Sequence, residues 1–255
     1  MYQVQKVCQD GSGWNVLTIK AQDSPNFTGE KLSSYTKKSL VGPAYLADLK
    51  NDGCGPGTPI WSSKVEGEFP EDSEDSVVRP SAVAKCRIKE QEHKHLVPVE
   101  LGVDVGAGGD MSVIMLRRGP VASAVKRIKT PDTMQLVGYI LEAIDSTGAT
   151  KVKVDKTGVG QGVVDRLNEH HANGRISCEV NGIMTGAGSS KPHRFPKLRD
   201  QLWWEVGRLL SENGEWDLSE LDDGIVNQLT VPRWAPDSSG RIKVEQKSET
   251  KKRLG

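Results

Sequence analysis

Leu101-Gly102-Val103-Asp104-Val105-Gly106-Ala107-Gly108-Gly109-Asp110 is an apolar run that ends on a carboxylate and then breaks into glycines. Further along, Val152-Lys153-Val154-Asp155-Lys156-Thr157-Gly158-Val159-Gly160-Gln161-Gly162 follows the same plan. Each run is β-favouring, so Asp104 and Asp155 are expected at the C-terminal edges of strands, where glycine lets backbone approach closely. Two carboxylates on neighbouring strands make half of a divalent-metal site. The rest of the chain decides whether those strands are neighbours.

Working outward, Leu96 to Val105 reads as a strand, Ser112 to Arg117 as a second and Val121 to Ile128 as a third. Arg118-Gly119-Pro120 leaves room only for a tight turn, so the three should form an antiparallel meander. A helix follows, with Thr130 as N-cap, Pro131 at the first helical position and Met134, Val137, Ile140, Leu141 and Ile144 on one face. Lys151 to Asp155 is a fourth strand. Because it arrives through a helix, it should run parallel to its neighbour.

A second helix is predicted from Gly160 to before Gly174, burying Val163, Val164 and Leu167, and a fifth strand around Cys178 to Met184. A long helix from Pro196 to Asn213 should bury Leu198, Leu202, Val206, Leu209 and Leu210. A short helix at Ser219 to Leu229 then precedes a hairpin of Val231–Trp234 with Arg241–Glu245, turned by Asp237-Ser238-Ser239-Gly240.

The first ninety or so residues differ. Trp14 to Ala21 alternates like a strand and runs into the turn-rich Asp23-Ser24-Pro25-Asn26. A short helix is predicted at Pro43 to Lys50, and a glycine and proline cluster follows at Asp52 to Pro59. Residues 71–76 and 87–95 are charged connecting segments. The division predicted is 1–94, a fragment of something larger, and 95–255, a domain with its own core.

Composition narrows the function classes. The chain of 255 residues carries 34 basic and 34 acidic side chains, so its formal charge of zero argues against coating nucleic acid by charge alone. Local basic clusters remain at Lys191 to Arg199 and Lys247 to Arg253. No apolar stretch has the length of a membrane span and the N-terminus shows no signal-peptide pattern, which predicts a cytoplasmic protein without membrane contact. The four cysteines (Cys8, Cys54, Cys86, Cys178) are scattered and expected to be reduced. His93 with His95 and His170 with His171 lack the spacing that puts two rings on one helix face, so zinc is not expected.

Three antiparallel strands, helix, parallel strand, helix, strand, helix is the element order of the ribonuclease H-like fold, an α/β class with a mixed sheet flanked by helices. In that fold the first and fourth strands are adjacent, which would set Asp104 beside Asp155. Actin-like ATPases and sugar kinases share the order, so motifs must separate them. Gly102-Val103-Asp104-Val105-Gly106, with Asp110 nearby, resembles the first acidic motif of the nuclease domain of phage terminase large subunits. Val154-Asp155-Lys156-Thr157-Gly158-Val159-Gly160-Gln161-Gly162 is similar to that family's second. Asp23 to Asn26 and Ile60 to Pro70 resemble the stretch joining the family's ATPase to its nuclease. Gly240 to Glu245, with the lysines after it, resembles the approach to its third acidic motif.

The resemblance implies a metal-dependent endonuclease that cuts double-stranded DNA with low sequence specificity during genome packaging, in the cytoplasm of a host cell. It implies a phage or prophage origin, with the terminase small subunit and the procapsid portal as partners. It implies Mg2+ or Mn2+ in a two-metal site, with Asp104 bridging the ions, Asp155 holding one of them and Asp110 adding a water-mediated contact. Lys191, Arg194, Lys197 and Arg199 are candidates for the DNA backbone. Trp203 and Trp204 are adjacent, so one is expected in the core and the other at the surface or an interface, a reading preferred to base stacking. No phosphate-binding loop of the form Gly-x-x-x-x-Gly-Lys-Ser/Thr occurs, so no ATP site is expected. The third carboxylate would fall just beyond Gly255, so the family's pattern is expected to be incomplete at both ends and the site short of one member. Two other readings stay open: an actin-like or sugar-kinase phosphotransferase with Asp104 at ATP-bound magnesium, and a non-catalytic remnant that binds DNA or packaging partners.

Overall fold

The computed structural model describes residues 17–52, 54–68, 72–87, 97–106, 108–212 and 216–254. The chain divides into two units: Met1–Ser81 with Asp222–Arg233 and Glu245–Gly255, and Ala82–Leu221 with Trp234–Val244.

In the second unit, Val99–Asp104 (β1), Ser112–Arg118 (β2) and Val121–Ile128 (β3) form the expected antiparallel meander. Lys151–Asp155 (β4) lies parallel to β1, with Leu101 opposite Val152 and Val103 opposite Val154. Glu179–Ile183 (β5) is parallel to β4, which gives a five-stranded sheet in the order β3-β2-β1-β4-β5. The first strand is slightly shorter than its apolar run, starting at Val99; the predicted start at Leu96 lies outside the described residues.

Strand alternation decides which side chains meet. Leu101, Val103, Ile114, Val152 and Val154 are buried in one cluster with residues of Thr133–Thr147 (α1) and Gly160–Ala172 (α2). Leu136, Val137, Ile140 and Ile144 come from α1, and Val163, Val164 and Leu167 from α2. Each such side chain contributes about 1.5–3 kcal/mol of burial. Residues of the other parity, among them Gly102, Asp104, Lys153 and Asp155, therefore lie on the opposite face of the sheet.

Three details depart from expectation. The N-cap of α1 is Asp132, not Thr130: its carboxylate accepts from the amides of Met134 at 2.8 Å and Gln135 at 3.3 Å. Thr130 instead accepts the Asp132 amide at 3.1 Å, a turn that precedes the helix. Met134, placed in the first turn of α1, is 47% exposed rather than part of the buried face. In Leu198–Glu212 (α3), Leu202 and Val206 are also exposed, because the helix is oriented by other contacts. Trp204 packs against the buried Phe195 at 6.4 Å and edge-on to Trp234 at 5.3 Å, and Gly207 and Leu210 turn inward with it.

The hairpin forms over Trp234–Pro236 (β6) and Ile242–Val244 (β7); its first strand is displaced past the predicted Val231–Trp234 and its second is shorter than predicted. The Asp237 carboxylate accepts from the amides of Ser239 and Arg241 and closes the turn. Asp200, buried on α3, accepts the Val244 amide at 3.0 Å and joins the hairpin to the helix.

The first unit is built from short helices. Pro25–Thr28, Pro43–Asn51 and Pro59–Lys64 each open on proline, whose fixed φ and missing N–H suit a first helical position. The Asn26 side-chain amide donates to the carbonyls of Lys37, Leu40 and Val41. Asp223–Thr230 is capped by Asp222, and Asp223 pairs with Lys64 at 2.6 Å. The strand expected at Trp14 to Ala21 does not form in its described part. Leu17 and Ile19 are 83% and 69% exposed, so the alternation has no face to bury, and Ala21–Asp23 makes a 3-10 turn. Cys54, Cys86 and Cys178 are buried free thiols. Among the described residues no helix is long and apolar enough to cross a membrane.

Candidate active site

Asp104 is the last residue of β1, and Asp155 the last residue of β4, the parallel strand beside it. One residue past the Val103–Val154 pair, both carboxylates reach the same sheet edge and line one open cleft of about 430 Å3. Gly102 continues the floor of this cleft, Val113 and Met115 of β2 form one side, and Arg199 and Trp203 of α3 form another.

The loops after the two strands explain their glycines. The amides of Gly109 and Asp110 both donate to the Gly106 carbonyl, folding the loop so tightly that a Cβ at Gly106 would overlap the Asp110 backbone. The Gly106 amide donates to Ser112 Oγ at 3.0 Å, returning the chain into β2. Asp110 belongs to this turn, is exposed and does not line the cleft. After β4, a Cβ at Gly160 would overlap the Asp155 carbonyl oxygen. The second glycine cluster thus lets α2 start against the end of its own strand.

Asp155 is held on both oxygens. Oδ1 accepts the Thr157 amide at 3.0 Å and Oδ2 accepts the Thr185 hydroxyl at 2.9 Å. Thr157 and Thr185 hydroxyls lie 3.2 Å apart. Thr185 has a single proton and gives it to the carboxylate, so Thr157 is the donor between them. Lower on the same sheet face, Glu100 receives Lys153 Nζ at 3.0 Å, with Arg117 at 3.7 Å. The hydrogen bond from Lys153 holds the Glu100 carboxyl below its usual range, against the opposing effect of burial.

Of the four basic candidates, Arg199 lines the cleft and donates to the Val244 carbonyl at 3.1 Å. Lys191 pairs with Glu205 at 3.1 Å. Arg194 lies over the rings of Phe195 and Trp204, 5.3 and 5.6 Å from their centroids. Lys197 is exposed, and its backbone amide donates to Asp200. Thr185 and Met115 join the site without having been singled out from sequence; of the adjacent pair Trp203 and Trp204, it is Trp203 that lines the cleft. Thr185 had a readable signal, since it follows β5 and a third parallel strand should deliver its end to the same edge.

Among the described residues no three His, Cys, Asp or Glu side chains gather as a metal-binding group. The hard donors at the cleft are nonetheless oxygens, two of them carboxylates, with the soft Met115 thioether beside them. That set suits one hard divalent cation that keeps most of its waters.

Solved structures share this architecture. The K428A nuclease domain of the large terminase subunit gp2 of bacterial virus Sf6, bound to manganese and beta-thujaplicinol, superposes with a TM-score of 0.55 at 14% identity, over 71% of this chain and 92% of that one. The large terminase nuclease of thermophilic phage G20c, with bound cobalt, gives 0.51 at 18% identity, over 69% and 90%. The fold is that of phage large-terminase nuclease domains. It is the ribonuclease H-like class expected from the element order, and a calcium-bound form of the Sf6 domain matches equally well, at 0.55. No family model and no curated protein matches the chain.

Proposed function

We propose that this chain is the nuclease part of a phage DNA-packaging terminase and hydrolyses phosphodiester bonds of double-stranded DNA with little sequence preference. The observation that carries the reading is the meeting of Asp104 and Asp155 in one cleft at the ends of adjacent parallel strands. These two carboxylates would hold Mg2+ or Mn2+, which when bound activates water and stabilises the leaving oxygen. Thr185 and the Thr157 amide fix the plane of the Asp155 carboxylate, leaving each oxygen further lone pairs for the cation. Arg199 offers a guanidinium to a phosphate oxygen at the cleft wall. Asp110 is too far round its turn to line the cleft, so any part it takes is through water. A contact set of carboxylate, hydroxyl and guanidinium addresses the sugar-phosphate backbone, which carries no sequence information directly. By the same likeness, the terminase small subunit and the procapsid portal are the proposed protein partners.

The test has two readouts. Mg2+ or Mn2+ should nick supercoiled plasmid, though weakly since only two carboxylates are assigned to the site, and should also raise the melting temperature of the chain. Asp104→Asn and Asp155→Asn should each abolish nicking and remove the cation-induced shift. Nicking that survives both substitutions, or a cation shift indifferent to them, would overturn the assignment.

A further inference from the structure

Arg199 and Trp203 are four residues apart on α3 and so share one face of the helix, the face that meets the cleft. The adjacent Trp204 points away and is locked between Phe195 and Trp234. That aromatic cluster fixes the rotation of α3 and thereby aims Trp203. A tryptophan serving only as core would be enclosed by apolar neighbours. Trp203 is half-buried, and its cleft holds, beside Val103, Val113 and Met115, two carboxylates, a threonine hydroxyl and a guanidinium.

The cleft volume of about 430 Å3 is within the range of small-ligand sites and has room for one nucleotide of a strand. A flat aromatic ring beside an arginine is the pairing that holds single strands: the ring stacks on a base and the cation takes the phosphate. In an intact duplex each base face is covered by its neighbours, so the ring has nothing to stack on. Resting on the nuclease reading above, we infer that Trp203 stacks on a base of the strand lying across Asp104 and Asp155. The site therefore holds a strand whose base is unpaired at that point better than it holds closed duplex, and a duplex substrate must open locally to engage fully.

The experiment uses the full chain carrying Asp104→Asn, which keeps the strand uncut, and fluorescence anisotropy with a labelled single-stranded oligonucleotide and its duplex. Adding Trp203→Ala should weaken single-strand binding about 5- to 100-fold, while Trp203→Phe stays within about threefold of the parent and duplex binding changes little. Rescue by phenylalanine but not by Trp203→Leu separates stacking from simple filling, and melting temperatures show whether each variant folds. Equal behaviour of leucine and phenylalanine, or equal weakening on both DNAs, would overturn the inference. Trp203-dependent binding in a wild-type chain that never nicks plasmid would uphold it while removing the nuclease reading. Cation-dependent nicking with single-strand binding indifferent to Trp203→Ala would do the reverse.

Discussion

At the scale of single residues, the site depends on how firmly Asp155 is held. Removing the Thr185 hydroxyl leaves Oδ2 without its donor, so Thr185→Val should raise the cation concentration needed for half-maximal nicking about 10- to 100-fold, the usual effect of losing a group that orients a metal ligand. Thr185→Ser should restore it, and a cation titration of nicking rate checks both. Glu100 gives a second expectation. Its folded carboxyl titrates below the ordinary value of 4.5, so its stabilising effect is complete at neutral pH and is lost as pH falls below that value. The wild-type melting temperature should therefore drop more steeply in acid than that of Glu100→Gln. Parallel slopes would show that the Lys153 hydrogen bond does not stabilise the fold. Asp104 and Asp155 were legible in the sequence because alternation and glycine both act locally, over a few residues. Trp203 was legible only as one of an adjacent pair: which of the two faces the cleft is set by the contact of Trp204 with Trp234, thirty positions further on, which no local period reveals.

Among elements, the meander and the parallel fourth strand were readable because a three-residue link permits one pairing and a helical crossover another. Helix ends and faces were less so. Thr130-Pro131-Asp132 places two capping residue types within three positions, and only the completed chain shows Asp132 taking the amides of Met134 and Gln135. Periodicity assigned Leu202 and Val206 to the core of α3, yet the aromatic contact of Trp204 rotates them to solvent. These readings lead to paired stability changes in α1. Asp132→Ala should cost about 1 kcal/mol through the lost cap. Gly138→Ala should add up to about 1 kcal/mol, since a Cβ at this mid-helix position meets no atom within 4 Å. Chemical denaturation of the two variants checks the signs; a destabilising Gly138→Ala would mean that the open space there is not available in solution.

For the molecule as a whole, the balance of 34 basic and 34 acidic residues bears on how the proposed DNA substrate would be held. Three of the four basic candidates lie off the cleft, and the fourth, Arg199, lies 3.8 Å from the Asp200 carboxylate, so few phosphates can be neutralised at once. The affinity for a short duplex should then vary weakly with salt, with a slope of log K on log salt no steeper than about −3, equivalent to some three phosphate contacts. A titration series across salt concentrations measures this directly, and a slope beyond about −6 would point to a broad basic surface outside the cleft.

The contact between the start of α2 and the end of β4 leads to a different kind of expectation, about which histories are open to this chain. Position 160 admits no side chain because the Asp155 carbonyl occupies the space, and position 106 is closed in the same way by the turn behind it. Both glycines lie in the segment that follows a proposed metal-binding carboxylate's strand. In a library of random substitutions they should therefore be as intolerant as the aspartates themselves, even though neither lines the cleft. A chain that drifted and lost its chemistry would be freed at 104 and 155 long before it was freed at 106 and 160.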